Sequence, residues 1–358
     1  MTAQLQQHRA MPIAAGLVSL IFLTGFALMP LHWVSVGAPW ASLLVAFVAI
    51  PLIDLWVGPP RKRSERPQTV NRFISIARWL PRVQLLLQSV LLIQAVRIAP
   101  SLSWGELLVF GIAVGTVTGG LGITVAHELA HRASSLDRII AKALLVMVGY
   151  GHFVIEHVRG HHVRVATPED PATAPRGMSV YRFIVRSVVG SFAHAWRLEA
   201  MRLQHQGRSA WSAANWTLTG SVLAVALLVL AAWVGGVKAA TLFAFQAAWA
   251  VVLLEVINYI EHYGLQRRPV GDRYEAVGAE HSWNADFTVS NWILFNLQLH
   301  ADHHANMQRP YEELRSVPTA PQLPAGYPAM TLLALIPPAW FAVMDRRIPV
   351  RSWATYAP

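Results

Sequence analysis

Six stretches of this chain, 11–29, 40–57, 83–99, 107–126, 217–234 and 239–257, run almost without charge. Each is close to the roughly 20 apolar residues that a helix needs to cross the hydrocarbon core of a bilayer. The chain as a whole is 54% hydrophobic and only 13% charged, against about 25% charged in an average soluble domain. The pattern predicts an all-α integral membrane protein with six transmembrane helices, and one catalytic unit over 1–358. Asp54 and Glu255 are the carboxylates inside these runs, each near an end where a polar group can reach water or protein. The first run has Arg9 before it, no small-x-small cleavage pattern and a second span close behind. It reads as a retained helix rather than a removed signal.

Basic residues set the expected orientation. Arg61, Lys62, Arg63, Arg66, Arg72, Arg78 and Arg82 follow the second run, eleven Lys/Arg fall in 127–215 and eight in 262–358. The connectors near 30–39, 99–104 and 235–238 carry Lys238 alone. Both termini and both long polar segments are therefore expected on the cytoplasmic side of an inner membrane. The net charge of +10 follows from this asymmetry. Anionic lipid accounts for the basic face, an acidic protein partner is the sharper alternative, and no nucleic-acid motif is present. The chain has no cysteine, which excludes disulfides, thiolate zinc sites and thiolate-held iron within it.

Nine of the fifteen histidines fall into four groups. These are His127 and His131 after the fourth run, His157, His161 and His162, then His262 after the sixth run, and finally His300, His303 and His304. Residues three or four apart share one helix face at about 5–6 Å, so such pairs can offer two imidazoles to one ion. All four groups lie at the expected cytoplasmic ends of spans or in cytoplasmic segments. A lone buried histidine is ordinarily a hydrogen-bonded core residue; clusters of this spacing on one side of a membrane are not. A metal transporter would place ligands near the midplane of its spans, where this chain has no histidine. The first group also fits the H-E-x-x-H pattern of zinc proteases, with Glu128 as general base, but nine clustered histidines exceed a catalytic zinc's three protein ligands. A site at the lipid edge suits an apolar substrate, and attack on an unactivated C–H bond calls for a redox-active metal, which zinc is not.

The stretches HELAHR (127–132), EHVRGHHVRVATPEDPATA (156–174), NYIEHYGL (258–265), LQLHADHHA (297–305) and the HSWN at 281–284 resemble the signature motifs of the membrane-bound, non-haem di-iron alkane 1-monooxygenases, within the fatty-acid desaturase and hydroxylase superfamily. The resemblance runs from about Trp40 to Phe341. It implies that all nine grouped histidines are ligands of two iron ions, with dioxygen as co-substrate and a primary alcohol as product. It implies electrons from rubredoxin, reduced by an NAD(P)H-dependent rubredoxin reductase; without cysteine, this chain carries no fused rubredoxin. A desaturase or hydroxylase acting on acyl chains or alkyl-aromatics is the related alternative. Arg132 and Leu299 depart slightly from the usual pattern without removing a ligand.

Metal-bound imidazoles usually pass their second N–H to a carboxylate or carbonyl. Glu128, Glu156, Asp170, Glu261, His281 and Asp302 are candidates, with Glu169 and His152 further ones; helix-cap or salt-bridge roles compete. His8, His32, His194 and His205 read as surface or interface residues. Among the glycines of the fourth run, Gly115 and Gly119 offer either close helix packing or a slot for an alkyl chain. The helical cap is expected from a short apolar helix near 139–155, a basic surface helix over 183–202 and a run over 330–343 broken by Pro337-Pro338.

Overall fold

The computed structural model describes residues 2–60 and 71–349. Arg61, Lys62, Arg63 and Arg66, which contribute to the expected orientation, lie outside the described residues. The chain is mainly helical: α1 (Thr2–Ser35), α2 (Ala41–Val57), α3 (Asn71–Ile98), α4 (Trp104–Ala130), α5 (Ser135–Val146), α6 (153–164), α7 (Val180–Gln204) and α8 (Trp216–His262). A two-stranded antiparallel hairpin follows, β1 (Pro269–Val270) with β2 (Arg273–Tyr274). Short helices α9 (Thr288–Ile293), α10 (His300–Ala305), α11 (Tyr327–Ala334) and α12 (Pro337–Met344) complete it.

Among the described residues four helices are long and apolar enough to cross a membrane: Leu17–Ser35, Ala77–Ser101, Trp104–Ala130 and Trp216–His262. The six expected runs reduce to this number for two reasons. The second run forms α2, a shorter apolar helix. The fifth and sixth belong to one 47-residue element, α8, which breaks at Gly235 (φ −134°, ψ 20°) and Gly236 (φ 65°, ψ −160°). At 1.5 Å per residue an unbroken helix of that length would run about 70 Å, more than twice the hydrocarbon thickness. The positive φ of Gly236 is the conformation that favours glycine, and Lys238 Nζ seals the break with a hydrogen bond to Leu102 O and one of 3.2 Å to Pro100 O.

Local sequence explains where the helices start. Ser103 and Glu106 form a reciprocal capping box for α4, and the side chains of Ser134, Ser179 and Asn215 cap α5, α7 and α8. α4 and α8 pack closely because the fourth run is glycine-rich. A Cβ on Gly115 would stand 2.6 Å from Gln246 O, and one on Gly119 would stand 2.9 Å from Ala250 Cα. Close approach through small residues is how apolar helices associate in lipid.

Two apolar cores result. One fills the bundle around Leu91, Leu107, Phe110, Leu121, Leu129 and Leu144. The second joins the end of α8 to α7, α11 and α12 through Phe183, Tyr259, Tyr263, Trp283, Tyr327 and Trp340. Large side chains also face outward, Trp56 at 86% and Trp233 at 83% exposure, as expected of a surface that meets hydrocarbon. The apolar segment near 139–155 is α5 plus a turn at Gly149 (φ 70°). The basic segment over 183–202 lies within α7, and the run over 330–343 divides into α11 and α12 ahead of Pro337.

Candidate metal centre

Four chain segments bring the nine histidines to one end of the bundle. α4 contains a π-helical turn, Thr118–Ile123, before its last α-helical turn carries His127, and His131 caps its C-terminus. α6 contains a second, His157–His161. His262 ends α8, and α10 supplies His300, His303 and His304. π turns in helices are rare and concentrate at functional sites.

The donor nitrogens separate into two sets. His127, His131, His157, His162 and His303 form one, and His161, His262, His300 and His304 the other; within each set the ligand atoms lie within 4.8 Å of one another. His127 with His131 and His300 with His304 share a set at i, i+4, as helix geometry predicts. His157 instead shares with His162, and His161 between them belongs to the other set. The π turn is the cause: its hydrogen bonds run i to i+5, so residues five apart come to one face. Along each set the Nε2 atoms follow closely: His131 to His157 3.0 Å, His157 to His162 3.0 Å, His162 to His303 3.1 Å, and in the other set His262 to His300 3.2 Å and His300 to His304 2.9 Å.

These contacts suit a cation better than a hydrogen-bond chain. His262 Nδ1 lies 3.1 Å from the His281 carbonyl, which can only accept, so the proton is on Nδ1 and Nε2 presents a lone pair. His161 Nδ1 lies 2.9 Å from Asp170 Oδ2, with the same result. His127 Nε2 is buried without a partner. Lone pairs facing one another at such distances repel unless a positive ion lies between them. Two imidazoles bound at right angles to one ion, at a metal–nitrogen distance of about 2.1 Å, stand about 3 Å apart. Burial, with the neighbouring rings second, holds His157, His162, His300, His303 and His304 well below the usual imidazole pKa, and His131 down to about 4. Neutral imidazole is the ligating form.

The carboxylate candidates divide by direction. Asp170 touches His161 and also accepts from the Thr173 hydroxyl at 2.6 Å. Glu261 Oε1 lies 3.3 Å from His300 Nδ1 and accepts from the Tyr327 hydroxyl at 2.9 Å. His281 reaches His262 through its backbone; its ring accepts from Gly278 N and faces Glu275. Glu128 turns to Arg132, and Asp302 turns to Arg309 and Arg315 N, because residues adjacent to a ligand on a helix point about 100° away from it. Glu156 faces His194 at 2.7 Å, and burial, with Asp170 second, pushes its carboxyl up to about 8. Glu169 pairs with Arg164, and His152 stacks edge-on against Tyr150 and Phe192. His194 is thus an interface residue, 8% exposed between α7 and α6; His32 and His205 are exposed, and the His8 side chain lies outside those described.

An apolar cavity abuts the cluster. Phe26 of α1, Phe47 and Ile50 of α2, Gly119, Gly120 and Ile123 of α4, Leu253 and Ile257 of α8 and Ile293 of α9 line it, with His127, His157, Asn258, Glu261 and Tyr327 among its polar wall. Gly119 and Gly120 lie along it, whereas Gly115 packs on Gln246 and Trp249. No sequence signal marked Phe26, Phe47 or Tyr327, since an apolar residue turned toward a cavity is indistinguishable from one turned toward a neighbouring helix.

A helical membrane bundle with a multi-histidine metal site at one end and an apolar cavity beside it defines a class of lipid-facing metalloenzymes. The fatty acid desaturase family model matches residues 102–334. Alkane 1-monooxygenase 1 of Pseudomonas aeruginosa is 43% identical over 318 residues, 86% of this chain and 83% of that protein. Alkane 1-monooxygenase of Pseudomonas putida is 40% identical over 87% of this chain and 78% of its own length. The xylene/toluene monooxygenase hydroxylase component of Pseudomonas putida is 32% identical over 68% of this chain and 64% of its own. The chain belongs to the fatty acid desaturase family and, within it, to the alkane hydroxylase branch.

Proposed function

We propose that this protein hydroxylates n-alkanes at a terminal carbon, using dioxygen and two electrons from a separate rubredoxin that an NAD(P)H-dependent reductase keeps reduced. One observation carries the reading: an apolar cavity and a histidine donor cluster share a wall, since His127 and His157 belong to both. The family relationship supports an electron-transfer partner.

In this reading two iron ions are held, one by His127, His131, His157, His162 and His303 and one by His161, His262, His300 and His304. The chemistry supplied by iron at these donors is reductive activation of dioxygen. Asp170 and the His281 carbonyl fix the Nδ1 protons of their histidines and so aim Nε2 inward. Phe26, Phe47, Ile50 and Ile293 bind the alkyl chain, exclude water and direct its end toward His127 and His157. Glu261 and Tyr327 hold His300 from behind.

The membrane placement that goes with this function has six crossings: α1, α2, α3, α4 and the two halves of α8 around Gly235-Gly236. The histidine end faces the cytoplasm of an inner membrane, supported by Arg132, Arg138, Arg159 and Arg164 beside the site against Lys238 and Arg97 near the break. The test is purification in detergent, metal analysis, and turnover with rubredoxin, its reductase, NADH and octane. Two irons per chain and 1-octanol are expected. Zinc without oxygen consumption would overturn the reading.

A further inference from the structure

Both carboxylates inside the apolar runs are buried, and they are held in different ways. Asp54, 2% exposed, accepts from the backbone N–H of Val289 and Ser290 at 2.8 and 3.1 Å and so anchors the start of α9. Glu255, 1% exposed on α8, caps nothing. Tyr150 Oη donates to its Oε1 at 2.6 Å and Asn258 Nδ2 to its Oε2 at 3.2 Å. The Ser187 hydroxyl of α7 is buried beside the same carboxyl, without a well-aligned hydrogen bond to it or to any other group. A carboxyl held within a membrane bundle is costly and marks a route for ions or protons more often than a structural contact.

The helix that faces Glu255 is unusual in the same way. An amphipathic helix ordinarily buries an apolar stripe. α7 does so through Val180, Phe183 and Leu198, but within that stripe it also buries Ser187, Ser191 and His194 at 0%, 5% and 8% exposure, spaced i, i+4 and i+7. One end of this polar set, His194, lies near the exposed Arg197, and the other faces Glu255. Asn258, bonded to Glu255, lines the cavity. Buried polar groups thus extend from His194, which pairs with Glu156 beside the exposed Arg197, to Asn258 at the cavity wall beside the metal centre. Hydroxyls one helical turn apart are about 5–6 Å from each other, a gap that a single bridging water closes.

We propose that Ser191, Ser187 and Glu255 conduct protons from the aqueous surface beside His194 to the cavity, with Asn258 holding the carboxyl at its wall. The inference rests on the hydroxylation reading. That reaction converts R–CH3, O2, two electrons and two protons into R–CH2OH and water. A C–H and the O–O bond break, a C–O and new O–H bonds form, and dioxygen is reduced by the carrier's two electrons together with the pair from the C–H bond. Both protons end on oxygen inside a site whose cavity wall is mostly apolar. The ionisable groups around Glu255 are Tyr150, from the turn before α6, and His161 of α6, whose field reaches it.

The test is turnover of octane by the purified enzyme with its reduced carrier, measured in H2O and D2O, with alcohol formed compared with NADH consumed. Glu255→Gln keeps the size of the side chain and an acceptor for Tyr150, with the Asn258 amide flipped to accept from the new NH2 group, but cannot pass a proton. It should retain metal content and octane KM, lower kcat at least about tenfold, raise the solvent isotope effect and release part of the reduced oxygen as peroxide. Glu255→Asp should recover part of kcat. Ser187→Ala should lower kcat several-fold with the same isotope signature. Wild-type kcat and an unchanged isotope effect in Glu255→Gln would overturn the proposal. Should that variant lose metal or fail to fold, Ser187→Ala decides: a raised isotope effect supports the relay and wild-type behaviour overturns it. An inactive wild-type enzyme would overturn the hydroxylation reading and the relay together, whereas an active enzyme with indifferent variants overturns the relay alone.

Discussion

Asp170 and His161 face each other at 2.9 Å with no exposed atom between them, Asp170 being 0% and His161 3% exposed. The carboxylate sits in the turn after α6, nine residues beyond its histidine, and Thr173 holds it from the other side. Asp170→Asn keeps the shape and removes the charge that favours a proton on Nδ1. Metal affinity should fall about 10–100-fold, measured by competition with a chelator of known strength. Affinity equal to wild type would mean that Asp170 serves the turn and not the histidine.

The glycines of α4 separate packing from cavity. A Cβ on Gly120 meets nothing within 4 Å, and Gly120 lines the cavity. Gly120→Leu should fold and shift the preferred substrate to shorter alkanes, read from product profiles across a series of chain lengths. Gly115→Leu would drive a side chain into Gln246 O and Trp249. It should reduce the yield of folded protein, by an overpacking cost of about 1–3 kcal/mol, without a matching change in length preference.

Asp54 joins α2 to α9 across more than two hundred residues. Asp54→Ala removes the acceptor for two buried N–H groups. A loss of about 0.5–2 kcal/mol follows from capping alone. Thermal unfolding in detergent should shift down accordingly. Octane KM should rise as well, because Ser290 and Ile293 of α9 line the cavity.

Glu199 ties α6, α7 and the start of α8 together, accepting from Arg159, Arg202 and Trp216 N. Burial works to raise its pKa, but the hydrogen bonds from Arg202 and Trp216 outweigh it and leave the group below the usual carboxylate value. A depressed folded pKa contributes stability that is present above the unfolded value, about 4.3 for Glu, and is lost as pH falls through the folded one. The thermal midpoint should hold from pH 8 to about 5 and drop below about 4. Glu199→Gln should be less stable at neutral pH and lose less on acidification.

The site was far more legible than the scaffold. Spacing and placement pointed to a multi-histidine site, and the family motifs supplied the full set of nine, His262 among them although it has no histidine partner in its own group; the structure brings these nine to one end of the bundle. Their division into sets was not legible, since i, i+4 reasoning assumes an α-helix and nothing in HVRGHH announces a π turn. The fifth and sixth runs read as separate because Lys238 and two glycines interrupt them, yet helical hydrogen bonding continues on both sides of the break. The roles of Glu128 and Asp302 depended on arginines, Arg132 at i+4 and Arg309 at i+7, that draw the carboxylates away from the cluster. Of the cavity only Gly119 was marked, through the slot expected along α4; the rest of its wall escaped, because an apolar wall and an apolar core are composed of the same residues.

The π turn at His157–His161 makes the donor arrangement a matter of counting as well as chemistry. A turn that bonds i to i+5 holds one residue more than its α-helical counterpart. A version of this chain with every histidine intact but one residue inserted between Val158 and Arg159 would set the first and third histidines of the group six apart, a spacing that neither an α nor a π turn returns to one face. Substitution, however exhaustive, leaves that count unchanged; only an insertion or deletion reaches it. Length at this point in the chain is therefore as much a part of the specification as the imidazoles are.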